Sequence, residues 1–425
     1  MVASPDTALS KPNVYESKRI QLTSPILHIG SEVSRLNPFE YVQTSSKVYI
    51  PSQEALVAAI QKRGRLKDYI RIIEQREDIQ PLLKNIFGDN WWEAKLENEE
   101  LIFSEITSSQ KWTEEKITDL RPMIRNGMGQ LYIPGSSIKG AIRTAIAYHL
   151  LKHAERYQVP QANQLSEIEQ KLRNQLGELK RQAKFADDKL FMNILFSDFS
   201  LSYQGKTVRC KAESPNTDFM RAVQVTDATP LLKQNVTVKG KVYSANTPIV
   251  AEVIVSSHFP DGKAKYRGPI YAEMVFNARS QFTISIDQTM LSWFRHNQGM
   301  QIPFQNIDDI LQICQEFAQE QWDYEHDYWQ EVKNNPKAQG RNLDFSYIQD
   351  FYEAENCPYT LRVGWGSGMT GTTIGLLLKD DLRAEIRDAC GIAAPNFEAP
   401  KSRRTVMAKS GEIKYVPGWV KFKPC

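Results

Sequence analysis

The stretch Leu131–Leu151, LYIPGSSIKGAIRTAIAYHLL, frames the reading of the whole chain. Leu131 to Ile133 reads as the end of a strand and Pro134-Gly135 as a turn, with Ser136 or Ser137 capping a helix. The helix is apolar at Ile138, Ala141, Ile142 and Ala145, and His149 continues that face, at spacings of three and four. Lys139 and Arg143 stand four apart near its N-terminus and share a face. A helix N-terminus is electropositive, so each cation there costs roughly a few tenths of a kcal/mol. Two readings stay open: exposed basic side chains that tolerate a small cost, or an anion bound at the turn that reverses both signs.

A nucleotide phosphate loop does not fit this stretch. Gly135 and Gly140 have the required gap, but Ala141 stands where Lys is needed and Ile142 where Ser or Thr is needed. A polynucleotide backbone phosphate asks only for N–H groups, hydroxyls and a cation, which this stretch offers.

The 425 residues give room for two or three domains with sizeable cores. With 53 basic and 50 acidic residues the formal charge is only +3, so a generic polycation is not indicated and any nucleic-acid groove is built locally. The opening MVASPDTALSKPNVYE lacks the pattern of a secretory signal and reads as a mobile tail over residues 1–16. No apolar run has the length of a bilayer span. Cys210, Cys314, Cys357, Cys390 and Cys425 are scattered without a CxxC pair, the usage of free thiols in a reducing cytoplasm.

Outward from the central stretch, Arg19–Ile29 and Lys47–Ile50 read as strands, and Glu54–Ile60, Leu66–Ile73 and Leu82–Phe87 as helical. Leu165, Ile168, Leu172, Leu176 and Leu179 mark a long amphipathic helix. The short apolar run Lys189–Leu201 reads as a central strand. The polar segment from about Ser202 to Ser244, with Lys206, Arg209, Lys211, Arg221, Lys233, Lys239 and Lys241, reads as a hairpin or long loop joining two halves. Thr247–Ser257 and Ser280–Ile286 follow as strands, a helix starts at Ile307 and runs toward Trp329, and Thr360–Trp365 leads into a glycine loop followed by Ile374–Leu378. Ala408–Lys423 closes the chain as a hairpin. This order suits two α+β halves, each an antiparallel sheet with helices on one face.

Several constellations were weighed for chemistry. Gly366–Gly371 (GSGMTG) satisfies the dinucleotide-binding spacing, but no strand ending in an acid follows at the required distance. Glycines beside Trp365 suit either a plain tight turn or a loop along which a nucleic-acid strand passes. His149 and His153 have the spacing of a zinc-protease helix, yet Leu150 stands where Glu is needed, and they read as packing histidines. His326-Asp327 lacks further ligands. The acidic pairs Asp187/Asp188, Asp308/Asp309 and Asp380/Asp381 read as solvated caps, and Asp198 as a strand end or an acid satisfied by backbone donors. No catalytic set, metal site or cofactor site emerges.

Taken together, LTSPILHIGSE (Leu22–Glu32), YIPGSSIKGAIRTAI (Tyr132–Ile146), GWGSGMTG (Gly364–Gly371) and VPGWVKF (Val416–Phe422) resemble the RAMP superfamily of CRISPR-associated proteins, in particular the RAMP subunits of type III-A (Csm) effector complexes. The resemblance implies two RRM-like (ferredoxin-like) domains with helical insertions, over residues 17–235 and 236–425. It implies an RNA-binding subunit in antiviral defence, which caps the repeat-derived end of the guide RNA (crRNA) and supports its maturation and complex assembly. Its implied partners are the guide RNA, neighbouring backbone and small RAMP subunits, and host nucleases, in the cytoplasm. RNA-binding roles carry over to His28, Gly30 and Ser31, to Ser136, Ser137, Lys139 and Arg143, and to Gly364, Trp365, Gly366, Ser367 and Gly368. Target-cleaving members use an Asp in a loop of the first domain, whereas the loop after Gly30 offers only Glu32, so a non-catalytic role is expected. The alternatives are a metal-dependent endoribonuclease using Asp198 or Glu32, or another type III RAMP subunit.

Overall fold

The computed structural model describes residues 14–96, 99, 101–177, 188–208, 215–238, 240–258 and 260–425. Most of the expected N-terminal tail, with Leu179, Asp187, Arg209, Cys210, Lys211 and Lys239, lies outside the described residues. Eleven strands join into one sheet. They are β1 (Tyr15–Leu27), β2 (Val42–Gln43), β3 (Lys47–Tyr49), β4 (Ser108–Lys111), β5 (Val223–Val225) and β6 (Thr247–His258). After them come β7 (Ala264–Asp287), β8 (Leu361–Arg362), β9 (Arg403–Met407), β10 (Ile413–Tyr415) and β11 (Trp419–Pro424). The order is β8-β11-β1-β7-β6-β4-β3-β2, with β5 on β7, β9 on β6 and β10 on β9. Pairing is antiparallel except between β6 and β4.

The first strand shows why the sheet forms as it does. Ile20, Leu22 and Ile26 are buried at a spacing of two, the period of a half-buried strand. In register, Ile20 faces Phe282 and Leu22 faces Phe422. Strands from the two ends of the chain are therefore neighbours, and the halves expected from the sequence share one sheet. The middle of β7 is buried on both faces from Tyr271 to Val275, so its alternation is lost, and residues 264–279 were not read as strand.

The longer helices among the described residues are α1 (Gln53–Lys62), α2 (Leu66–Gln75), α3 (Gln80–Phe87), α4 (Gly135–Lys152) and α5 (Leu165–Asn174), followed by α6 (Ile307–Glu331), α7 (Ser346–Tyr352) and α8 (Asp380–Ala389). Helices α1 to α3 enclose a small core with Tyr49, Leu56, Ile60, Trp91 and Phe103. Helix α6 opens with a reciprocal capping box between Asn306 and Asp309 and buries Ile310, Cys314 and Phe317 along one stripe. It packs on α4 in the main core, where Ile138, Ile142 and Ile146 are fully buried. Each such isoleucine contributes about 1.5–3 kcal/mol, well above the local cost of the basic pair.

Four local expectations are corrected. Leu131–Ile133 is extended chain with an isolated bridge from Leu131 to Arg125, not a regular strand. Helix α4 starts at Gly135 with Pro134 as its N-cap, so neither Ser136 nor Ser137 caps it. The apolar run from Lys189 is helical through Ser197, and only Phe199–Tyr203 is strand, in a separate three-stranded sheet. Buried Leu190, Phe191, Leu195 and Phe196 suit a buried helix as well as a strand, which periodicity cannot separate over so short a run. Ile374–Leu378 holds a single helical turn at Gly375–Leu377.

Candidate nucleic-acid interface

The first and third sequence motifs meet in space. Strand β1 ends at Leu27, and the chain turns out through buried His28 and exposed Gly30. The His28 ring lies against the backbone of β7, with Nδ1 2.6 Å from the carbonyl oxygen of Glu273. Burial holds this imidazole below its ordinary pKa, against the raising effect of that hydrogen bond. Glu273 is itself buried, and its carboxylate accepts from Ser109 Oγ and the Met123 N–H and pairs with Arg125. The Ile124 N–H donates to the Ile29 carbonyl at 2.9 Å, which ties the departing loop to the same hub.

The glycine loop seats directly on this turn. The Trp365 N–H donates to the His28 carbonyl at 3.1 Å. Gly364 has φ 83°, and a Cβ there would sit 2.2 Å from His28 O. A Cβ on Gly366 would strike Pro417, which precedes the last strand. The backbone that passes closely along these glycines is thus the protein's own. Gly368 and Gly30 face open space, whereas Ser367 is buried with no hydrogen-bond partner for its Oγ. The loop continues into the five-residue helix Gly368–Thr372, with no second strand behind it, so the dinucleotide-binding spacing is coincidental.

Two arginines gather on Trp365. Its ring meets His28 edge-on, with centroids 5.4 Å apart. The guanidinium of Arg404 lies 4.3 Å from its ring centroid and that of Arg121 lies 5.0 Å away. Arg404 also donates to the Trp365 carbonyl at 2.8 Å, and Arg121 reaches the Ser34 carbonyl at 3.4 Å. Among the described residues neither guanidinium forms an ion pair. Burial, reinforced by Arg121 and then Arg362, pushes Arg404 down to about 10. The sequence reading missed both arginines, because each is an isolated basic residue with no periodic signal.

The start of α4 is built differently. The backbone N–H of Gly135 donates to Asp227 Oδ1 at 2.7 Å, so a carboxylate of the same chain occupies the electropositive helix end. A Cβ on Gly135 would meet Val225 O at 2.4 Å, showing how tightly the 225–226 backbone crosses that turn. Lys139 Nζ donates to the Val223 carbonyl at 2.7 Å, and burial lowers its pKa despite Asp218. Arg143 pairs with Asp218 at 2.5 Å and lies 3.8 Å from the Phe196 ring centroid. Both cations therefore have partners within the chain, and residues 218–227 neutralise that end. Ser136 remains exposed and Ser137 half-buried.

The remaining candidates separate cleanly. Glu32 is exposed on the loop after Gly30. Asp198 follows the short helix Asn193–Ser197 and accepts from Asn297 Nδ2 at 2.6 Å. His149 and His153 both contact Glu316, at 2.7 and 2.8 Å.

With this arrangement in view, the chain belongs to the RAMP superfamily, whose sequence pattern matches residues 19–292. A curated relative from Enterococcus italicus, described as "CRISPR system Cms protein Csm5", is 28% identical over 150 residues, 31% of this chain and 42% of that protein's length. A chain of the cryo-EM structure of a Csm–crRNA–target RNA ternary complex of a type III-A CRISPR-Cas system superimposes with a TM-score of 0.58 at 23% identity, covering 96% of this chain and 100% of the other. The crystal structure of Csm5 from T. onnurineus superimposes with a TM-score of 0.55 at 18% identity, covering 95% and 100%. No helix among the described residues is long and apolar enough to cross a membrane.

Proposed function

We propose that this chain is an RNA-binding RAMP subunit of a type III-A (Csm) effector complex that caps the repeat-derived end of the guide RNA and acts in assembly and guide maturation. The likeness to the Enterococcus italicus protein and to a chain of the crRNA-bound complex supports this reading. The observation that carries it is the junction of the His28–Ser31 and Gly364–Gly368 loops, where Arg121 and Arg404 stand beside Trp365 without a carboxylate partner. Guanidinium groups without a carboxylate, exposed backbone at Gly30, half-buried Gly368 with open space above it and an aromatic face suit a sugar-phosphate chain held without base reading. Ser136 at the start of α4 extends the same surface, while Lys139 and Arg143 brace the 218–223 segment beneath it. Neighbouring RAMP subunits, and host nucleases during maturation, are the protein partners of a cytoplasmic complex. We also read the shared sheet as two RRM-like units over residues 17–235 and 236–425, with β1 joining them. The chain itself contributes binding and leaves RNA uncut, since Glu32 and Asp198 belong to different loops and neither joins a cluster of three metal-ligating side chains among the described residues.

The test is binding of repeat-derived RNA across a salt series. Replacing Arg121 and Arg404 by alanine together should lower the salt-dependence slope by about 1.4, the contribution of two single-strand phosphate contacts. An unchanged slope in a folded double variant would remove the proposed seat. RNA cutting that needs a divalent ion and vanishes in Glu32→Ala or Asp198→Ala would instead establish the nuclease reading.

A further inference from the structure

A second cluster lies away from the proposed RNA seat and is unused by it. His149 and His153 stand one turn apart on α4, and Glu316 faces both from α6. Nδ1 of His149 is 2.7 Å from Glu316 Oε2, and Nε2 of His153 is 2.8 Å from Glu316 Oε1. The three ligand atoms lie within 4.8 Å of one another. We propose that His149 Nδ1, His153 Nε2 and the Glu316 carboxylate bind one divalent transition-metal ion of the zinc class, clasping α4 to α6.

The chemistry supports a metal in three ways. Two imidazoles and one carboxylate form a donor set that zinc and its neighbours accept. Metal–ligand bonds of about 2.1 Å in tetrahedral geometry place ligand atoms about 3.4 Å apart, so the two nitrogen–oxygen spacings need to open by about 0.6–0.7 Å, and any wider spacing within the 4.8 Å cluster needs to close. His149 Nε2 lies 2.9 Å from the Tyr157 hydroxyl oxygen, which can accept a hydrogen bond from Nε2–H and so leave the Nδ1 lone pair for the metal. Each imidazole binds the metal through the ring nitrogen facing Glu316 with its one proton on the other nitrogen, and a proton passes to solvent only from a ring that was doubly protonated. Lys152 lies 3.2 Å from Glu316, but its shorter partner is Glu320 at 2.7 Å, so it can yield the Glu316 oxygen. The cluster borders a surface depression lined by Gln301, Gln305 and Gln312, which leaves a fourth position open to water. The sequence pattern discounted this pair because Leu150 replaces the glutamate of a zinc protease. The acid comes instead from another helix, so the ion would join α4 to α6.

The experiment uses the untagged full chain, stripped with a chelator and titrated calorimetrically with zinc sulfate, with cobalt as a spectroscopic probe. One equivalent should bind, cobalt should give the visible bands of a four-coordinate site, and zinc should raise the thermal midpoint. Tyr157→Phe should weaken zinc binding about tenfold. Glu316→Gln and half-exposed His153→Ala, each checked for fold by circular dichroism, should weaken it more than about a hundredfold. Absence of one-equivalent binding in the wild type, or wild-type affinity in Glu316→Gln and His153→Ala, overturns the proposal. Neither outcome depends on RNA binding.

Discussion

Two regions carry positive charge beside a turn, yet their electrostatics are opposite. At the start of α4, Lys139 and Arg143 are met by the Val223 carbonyl and Asp218, and Asp227 sits on the free helix N–H. Beside the glycine loop, Arg121 and Arg404 share Trp365 and repel each other with no carboxylate between them. A cation is available to a ligand only where the fold has not already supplied its counter-charge. The basic pair that is conspicuous in the sequence has a carboxylate beside it, and the pair that is inconspicuous has only carbonyl and aromatic partners among the described residues.

The sharpest way to break this contrast is to unseat the glycine loop. Gly364→Ala forces a Cβ onto His28 O in a left-handed backbone, and should cost about 3 kcal/mol in urea unfolding and abolish RNA binding. Gly30→Ala, in open space, should change stability by no more than about 0.5 kcal/mol. Next, Arg143→Ala leaves Asp218 partly buried without its partner and strips a cation from Phe196, for a loss of about 2 kcal/mol. Its salt-dependence slope for RNA should stay at the wild-type value, the reverse of the Arg121/Arg404 variant. A smaller effect is expected for Asp227→Asn, roughly 0.5 kcal/mol of helix-end stabilisation, read from the urea midpoint.

The last prediction concerns acid. Burial holds the His28 imidazole below 6.5, so the unfolded chain takes up its proton first as pH falls. The stability this neutral ring supports is complete above about 6.5 and declines as pH drops toward its folded value. His28→Gln, which can still donate to the Glu273 carbonyl, should therefore lose less stability than the wild type between about pH 7 and pH 5.5. Equal losses would show that this imidazole plays no part.

Much of the fold was legible because its signals are local. The alternation of Ile20, Leu22 and Ile26 marks β1, and the stripe from Ile307 to Trp329 marks α6 with its acidic first turn. The motif around Gly135 to Ile146 marks α4. The run from Lys189 misled because a helix and a strand buried on all sides look alike over a few residues. The middle of β7 was missed because burial of both faces erases the period of two.

The sequence by itself determined the α+β class, the positions of the two loops and the helix start, and the RAMP motifs that identify them, since each rests on residues close together in the chain. Only the tertiary structure decided that His28 and Trp365 touch, that Arg121 and Arg404 converge on them, and that Asp218 and Asp227 discharge the start of α4. Those outcomes join residues 39 or more positions apart, as with Trp365 and Arg404. Local periodicity carries no record of such pairings, because they are set by which strands lie side by side in the sheet.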